Sequence, residues 1–168
     1  DAMPNLGDTS GESLRDRIQG HADQGVHTTF VGVGVDFNSR LTEQISTTRG
    51  ANYYAVHSPA QFDERMDEGF AYMVSPLVYD LTVTVSGADI AAVYGSPQHA
   101  GDSAEVMNVT TLFPSRREDN RTEGGVILLE LGDPAENLTV RADYETTDGQ
   151  HHTVTRNVSF AGNGTYYD

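Results

Sequence analysis

Three residue types are missing from this 168-residue chain: cysteine, lysine and tryptophan. Without cysteine there are no disulfides and no thiolate metal sites, and the redox compartment leaves no mark on the sequence. Without lysine the 10 basic residues are all arginine, and they face 25 acidic ones for a formal charge of −15. A surface this acidic repels nucleic-acid phosphates and anionic lipid, which argues against both partners. Such a surface suits a protein that stays hydrated in high salt, or it reflects a biased genome composition; both readings stand. No apolar run approaches the roughly 20 residues of a membrane span, and the first residues do not read as a signal peptide. With 37% hydrophobic residues the chain can build a real core, so disorder is not expected, and the length suits one domain or two small ones.

What is present is organised around Val26–Val35, VHTTFVGVGV, a long β-branched run with helix signals on both sides. Alternation of polar and apolar residues is lost where neither face of a strand meets water, so this run predicts the most buried strand of a parallel sheet, with Phe30 as a core aromatic. The helix before it is expected to start at Thr9 or Ser10, with Thr9 and Glu12 as a capping box, and to stop at Gly25; Leu14, Ile18 and Ala22 form its apolar stripe. After the strand, Leu41, Ile45 and Thr48 share one face of a second helix that Gly50 ends. Asn52–Val56 predicts a second strand. A third helix opens on Ser58 as N-cap, Pro59 at the first helical position and Gln61 closing a capping box; Phe62, Met66, Phe70 and Met73 make its expected buried stripe, and Ser75-Pro76 ends it.

Beyond that proline the apolar period falls from about 3.6 to 2. Leu81, Val83 and Val85 alternate with polar residues, and further strands are expected at Ile90–Tyr94, Val106–Phe113, Val126–Leu131, Leu138–Tyr144 and Thr153–Phe160. Asp148-Gly149 is the hairpin turn between the last two. Short strands without helical pattern predict an antiparallel β-sandwich over 76–160. Gly95–Ser103 and Pro114–Gly125 are its polar loops, and Ala161–Asp168 is a flexible tail.

Asp1-Ala2-Met3-Pro4-Asn5, the capped helix, Val31-Gly32-Val33-Gly34, Asn52-Tyr53-Tyr54 and the Ser58-Pro59 helix occur in an order that resembles the C-terminal half of a von Willebrand factor type A (VWA) domain. The family has a D-G-x-P-N loop, a strand ending in GVG and a G-x-Y-Y strand before its last helix. The resemblance covers about 1–75 and implies a partial Rossmann-like α/β layer with parallel strands and flanking helices. The β part is similar in type to the sandwich that follows such domains in bacterial and archaeal surface proteins. The resemblance further implies a metal-ion-dependent adhesion site, in which Mg²⁺ or another divalent cation is held by a D-x-S-x-S loop, a distant Thr and an Asp, and a protein ligand's carboxylate completes the shell. Only Asp1 matches that ligand set, and Ala2 stands where the family has Gly. The chain opens on a polar loop with no strand before its first helix, so the other ligands are expected upstream, no tight metal site is expected here, and an open edge at Val26–Val35 is expected to dimerise or exchange strands.

Other candidate sites carry bland alternatives. Asp8-Thr9-Ser10-Gly11-Glu12 imitates the metal motif but precedes a helix, which is capping chemistry. Gly32-Val33-Gly34 has Phe37 where a dinucleotide loop needs its third glycine. Asp143, Glu145 and Asp148 suggest a calcium loop, yet Val154 falls where that loop requires glutamate, so a hairpin turn reads better. His151 and His152 are adjacent in a strand and should face opposite ways. Asn108, Asn120, Asn137, Asn157 and Asn163 each head an N-x-S/T triplet, which matters only for an exported protein. No nucleophile, base and orienting group occur together. The resemblance therefore implies a non-enzymatic protein-binding or adhesion module at the cell surface, with an accessory subunit docking a larger enzyme or ATPase machine as the alternative.

Overall fold

The computed structural model describes residues 10–33, 39–96, 104–118, 121–122, 124–132 and 137–160. The chain divides into two compact units, Asp1–Tyr79 with Thr110–Glu123 and Asp80–Val109 with Gly124–Asp168. The expected joint was 75–76; the grouping instead changes at Tyr79-Asp80 and places 110–123 with the helical unit. Asp80 has φ 48°, a left-handed conformation that few residues other than glycine adopt and that Asp tolerates better than most.

In the first unit, α1 (Gly11–Ala22) begins where the Ser10 side chain accepts the Ser13 N–H. The chain leaves it through Gly25 at φ 76°. Strand β1 (Thr28–Val33) then pairs in parallel with β2 (Ala51–Val56), Thr28 opposite Ala51 and Val33 opposite Val56. Between them lies α2 (Ser39–Ser46), and after β2 come α3 (Pro59–Met66) and α4 (Phe70–Val74). Alternation along the strands sorts the contacts. Phe30, Ala51 and Tyr53 lie on one face, where Ile18 of α1 and Ile45 of α2 pack on them. Thr29 and Asn52, register partners on the opposite face, both donate to the Met73 carbonyl at 2.9 and 3.1 Å, which fixes α4 there. A small parallel sheet with helices on both faces results.

Two expectations need correction here. Val26–Val35 is not the most buried segment: Thr28–Gly32 are half-buried, while Val26 and Val33 are 53% and 60% exposed. Among the described residues β1 pairs only with β2. The unit's buried apolar positions among the described residues are Ile18, Ile45, Ala51, Val56, Met73 and Tyr79. The expected stripe of the third helix also fails, since Phe62 and Phe70 are 41% and 48% exposed and only Met73 is buried. The helix breaks at Asp67–Gly69, and a break of three residues resets the 3.6-residue phase that the stripe depended on. Leu41, Gly34–Phe37 and the Asp1–Thr9 loop lie outside the described residues or side chains.

The regular elements of the second unit are strands: β3 (Val78–Ser86), β4 (Ile90–Tyr94), β5 (Glu105–Leu112), β8 (Leu128–Leu131), β9 (Asn137–Thr146) and β10 (His151–Ser159), the first two residues of β3 and the last three of β5 being grouped with the first unit. One sheet has the order β10-β9-β3-β5 and the other is β4 paired antiparallel with β8. Val85, Val106 and Leu138 from the larger sheet meet Ile90, Val93, Leu129 and Leu131 from the smaller in one apolar core. Between β5 and β8 a short antiparallel pair, β6 (Arg117–Glu118) with β7 (Arg121–Thr122), occupies what was expected to be an unstructured polar loop.

The β9–β10 hairpin turns as expected at Asp148-Gly149, where Gly149 takes φ 83°. Its register is unbroken from His151 opposite Glu145 to Ser159 opposite Asn137. Every residue of strand β10 is exposed. Among the described residues it forms the sheet's edge, and its apolar residues Val154 and Val158, 38% and 39% exposed, stand beside Ala142 and Leu138. The tail Ala161–Asp168 lies outside the described residues.

Candidate functional site

The first unit contains a cleft of about 220 Å³ between the C-terminal end of α3, the start of α4 and the segment Pro114–Arg116. Local chemistry places α3. Ser58 accepts the Gln61 N–H, Pro59 needs no partner for a missing donor, and the Gln61 side chain accepts from the His57 N–H, one residue before the expected N-cap contact. From the helix, Arg65 reaches over the Tyr54 ring of β2, its guanidinium carbon 5.5 Å from the ring centre. Glu64 of α3 and Glu68 of the turn that follows it converge on Arg116. The Arg116 guanidinium lies 4.0 Å from Glu64 and in direct contact with Glu68. Met73 and Tyr72 line the rest.

This lining can recognise a group through hydrogen bonds, guanidinium charge and aromatic surface. Among the described residues its lining offers one aliphatic hydroxyl, Ser115, beside the Arg65 and Arg116 guanidinium groups. Asp63, Glu64, Asp67 and Glu68 give its outer rim an acidic character, with Arg116 as the countercharge. None of these residues was singled out from the sequence. Arg116 sits some fifty positions from its carboxylates, and no local pattern signals such a pair.

The structure places the candidates named from sequence as follows. Asp1, the one match to the VWA metal ligands, lies outside the described residues, as do Asp8 and Thr9. Ser10 caps α1. Gly32 and Val33 are strand residues within β1. Asp143, Glu145 and Asp148 do not converge on one point. The Arg141 guanidinium holds the Asp143 carboxyl below its usual range by two hydrogen bonds of 2.7 Å, and the Thr153 hydroxyl adds a third. Asp148 is held low mainly by the Thr146 hydroxyl, inside the turn. The two histidines do diverge. His151 faces Glu145 at 3.9 Å, whereas His152 stacks on Tyr144 with ring centres 5.6 Å apart. Among the described residues no three His, Asp or Glu side chains are arranged to hold a metal ion.

Of the N-x-S/T triplets, Asn108 is half-buried in β5, while Asn137 and Asn157 are exposed and lie on adjacent strands. The described residues contain no helix long and apolar enough to cross a membrane. The sequence matches no known protein-family model, and no curated protein matches it.

Proposed function

We propose that this chain is a non-enzymatic protein-binding or adhesion module of the VWA type, acting at the cell surface, with its second unit a β-sandwich that presents the α/β unit. One observation carries the reading. The segments that resemble the VWA family, Val31-Gly32-Val33 and Asn52-Tyr53-Tyr54, are the two strands of a parallel pair clothed by helices on both faces. Open parallel sheets bind their ligands beyond the carboxyl ends of the strands, which here are Val33 and Val56. The family's metal lies at that edge, and Asp1 is the proposed ligand from this chain. The described residues do not by themselves offer the several oxygen donors that Mg²⁺ needs, so a D-x-S-x-S strand elsewhere in the protein and a partner's carboxylate belong to the same proposal. So does strand exchange with a second copy at the side of β1 away from β2.

Calorimetry with Mg²⁺ or Mn²⁺, on the protein as its cells make it, tests the reading. A site that Asp1→Ala abolishes supports it. Equal binding by the alanine variant removes Asp1 from the ligand set, and with it the metal-dependent mechanism.

A further inference from the structure

The antiparallel register of β9 and β10 places two N-x-S/T triplets face to face. Asn157 lies opposite Thr139, and Ser159 opposite Asn137. Residues two apart in a strand share a face, so both asparagines and both hydroxyls line the same side of the hairpin. The hydrogen bonds run between the triplets: Thr139 Oγ1 donates to Asn157 Oδ1 at 3.1 Å and Ser159 Oγ to Asn137 Oδ1 at 2.6 Å. Both bonds engage the carbonyl oxygens and leave the two Nδ2 groups outside this ladder. Diagonal neighbours on adjacent strands are only about 7–8 Å apart, too close for two bulky substituents side by side.

We infer that Asn157 is an N-glycosylation acceptor and that its glycan guards the edge of the sheet. In the transfer, Asn157 Nδ2 forms a bond to the anomeric carbon of a sugar carried on a polyprenyl diphosphate. The bond from that carbon to the diphosphate oxygen breaks, the lipid diphosphate leaves with the electron pair, and the amide proton passes to a base of the transferase. Among the triplets in described residues, position selects Asn157. Asn108 is half-buried, and Asn137 stands on an inner strand with neighbours on both sides, whereas Asn157 is on the edge strand and exposed.

The edge also explains what the sugar does. Bare edges recruit foreign strands, and proteins blunt them with lysine, proline, bulges or covering segments. Strand β10 has no lysine, no proline and no bulge over nine register pairs, and it is exposed throughout. It also carries no acidic residue in a chain of charge −15, so the repulsion available elsewhere is missing there. A glycan on Asn157 supplies the missing obstruction.

The inference rests on the surface reading, and the test keeps the two apart. The protein is recovered from surface and cytoplasmic fractions of its own cells, cut after arginine and analysed by mass spectrometry with fragmentation. The peptide that begins at Asn157 is expected to carry sugar at Asn157, with peptide 66–116, which contains Asn108, unmodified. The variant N157Q is expected to lose that mass and to shift toward larger species on size exclusion. Protein found at the surface with Asn157 unmodified, or with sugar only at Asn137, overturns the inference and leaves the surface reading standing. Protein found only in the cytoplasm overturns the surface reading and the inference with it.

Discussion

Ile45→Ala is the substitution that most directly weighs the core of the α/β unit. Ile45 is 2% exposed and packs with Ile18 and Ala51, with Leu14, Phe30 and Tyr53 around them. The change removes roughly three buried carbons at about 0.8 kcal/mol each, and the cavity left behind adds to that, giving about 3 kcal/mol, inside the 2–5 kcal/mol range for such truncations. Phe30 was expected from its sequence to be a fully buried aromatic, for which truncation costs about 3–5 kcal/mol. The structure leaves it only half-buried, so Phe30→Ala should cost about half of that, roughly 2 kcal/mol. Val33, 60% exposed, should give within about 0.5 kcal/mol when cut to alanine. Urea titrations followed by tyrosine fluorescence and far-ultraviolet circular dichroism measure all three, fitted to the transition that reports this unit. The order Ile45, Phe30, Val33 is the point at issue. A larger loss at Phe30 than at Ile45, or a loss below about 1 kcal/mol at Ile45, would refute the placement of the core between α1, α2 and the sheet.

Asp80 holds φ 48°, so Asp80→Gly should leave stability unchanged or raise it slightly, while Asp80→Val should lower it by about 1–2 kcal/mol in the same titration. The Asp148 carboxyl is held below its ordinary value of 3.8 chiefly by the Thr146 hydroxyl, so its contribution is present above that value and is lost as pH falls through the lower folded value; Thr146→Val should move the Asp148 titration, read by NMR, back up toward 3.8. A Thr146→Val protein with an unmoved Asp148 titration would discard the hydroxyl as the cause. Arg116→Ala removes contacts to Glu64 and Glu68 whose side chains are 59% exposed, so the loss should stay under about 1 kcal/mol and shrink further in 1 M salt.

What could be read from the sequence was local punctuation. Ser58-Pro59 at α3 and Asp148-Gly149 in the hairpin each act within a few residues and appear where they were expected; α1 also starts where expected, but its cap is Ser10 on the Ser13 N–H and not the expected Thr9–Glu12 box, and Gln61 binds the His57 N–H one residue early. Period 2 likewise told that His151 and His152 diverge. Phase over longer stretches failed where a short break intervened, as at Asp67–Gly69 between Phe62 and Phe70. Thr153–Phe160 was legible as a strand, but its exposure was not, since that is set by its place at the end of the β10-β9-β3-β5 order. The cleft depends on Arg116 meeting Glu64 and Glu68, and the paired triplets depend on a register that only the folded hairpin defines.

Charge decides how exposed edges behave in this protein, and salt decides how far charge reaches. At about 0.1 M ionic strength the screening length is near 10 Å, so a net −15 keeps copies apart; at 1 M it is near 3 Å and that protection is gone. An acid-free edge such as β10 then depends on a steric guard, whereas β9 keeps Asp143 and Glu145 beside it for low salt only. The same screening separates the two explanations of the acidic composition. Relief of self-repulsion raises the melting temperature as salt is added and is essentially complete by about 1 M. A surface built to stay hydrated in salt keeps gaining beyond that point. We expect Tm to continue rising between roughly 1 and 3 M KCl, well past the range where screening changes. A plateau above 1 M would assign the acidic bias to composition alone, and would leave the guard on β10 as a device for ordinary ionic strength.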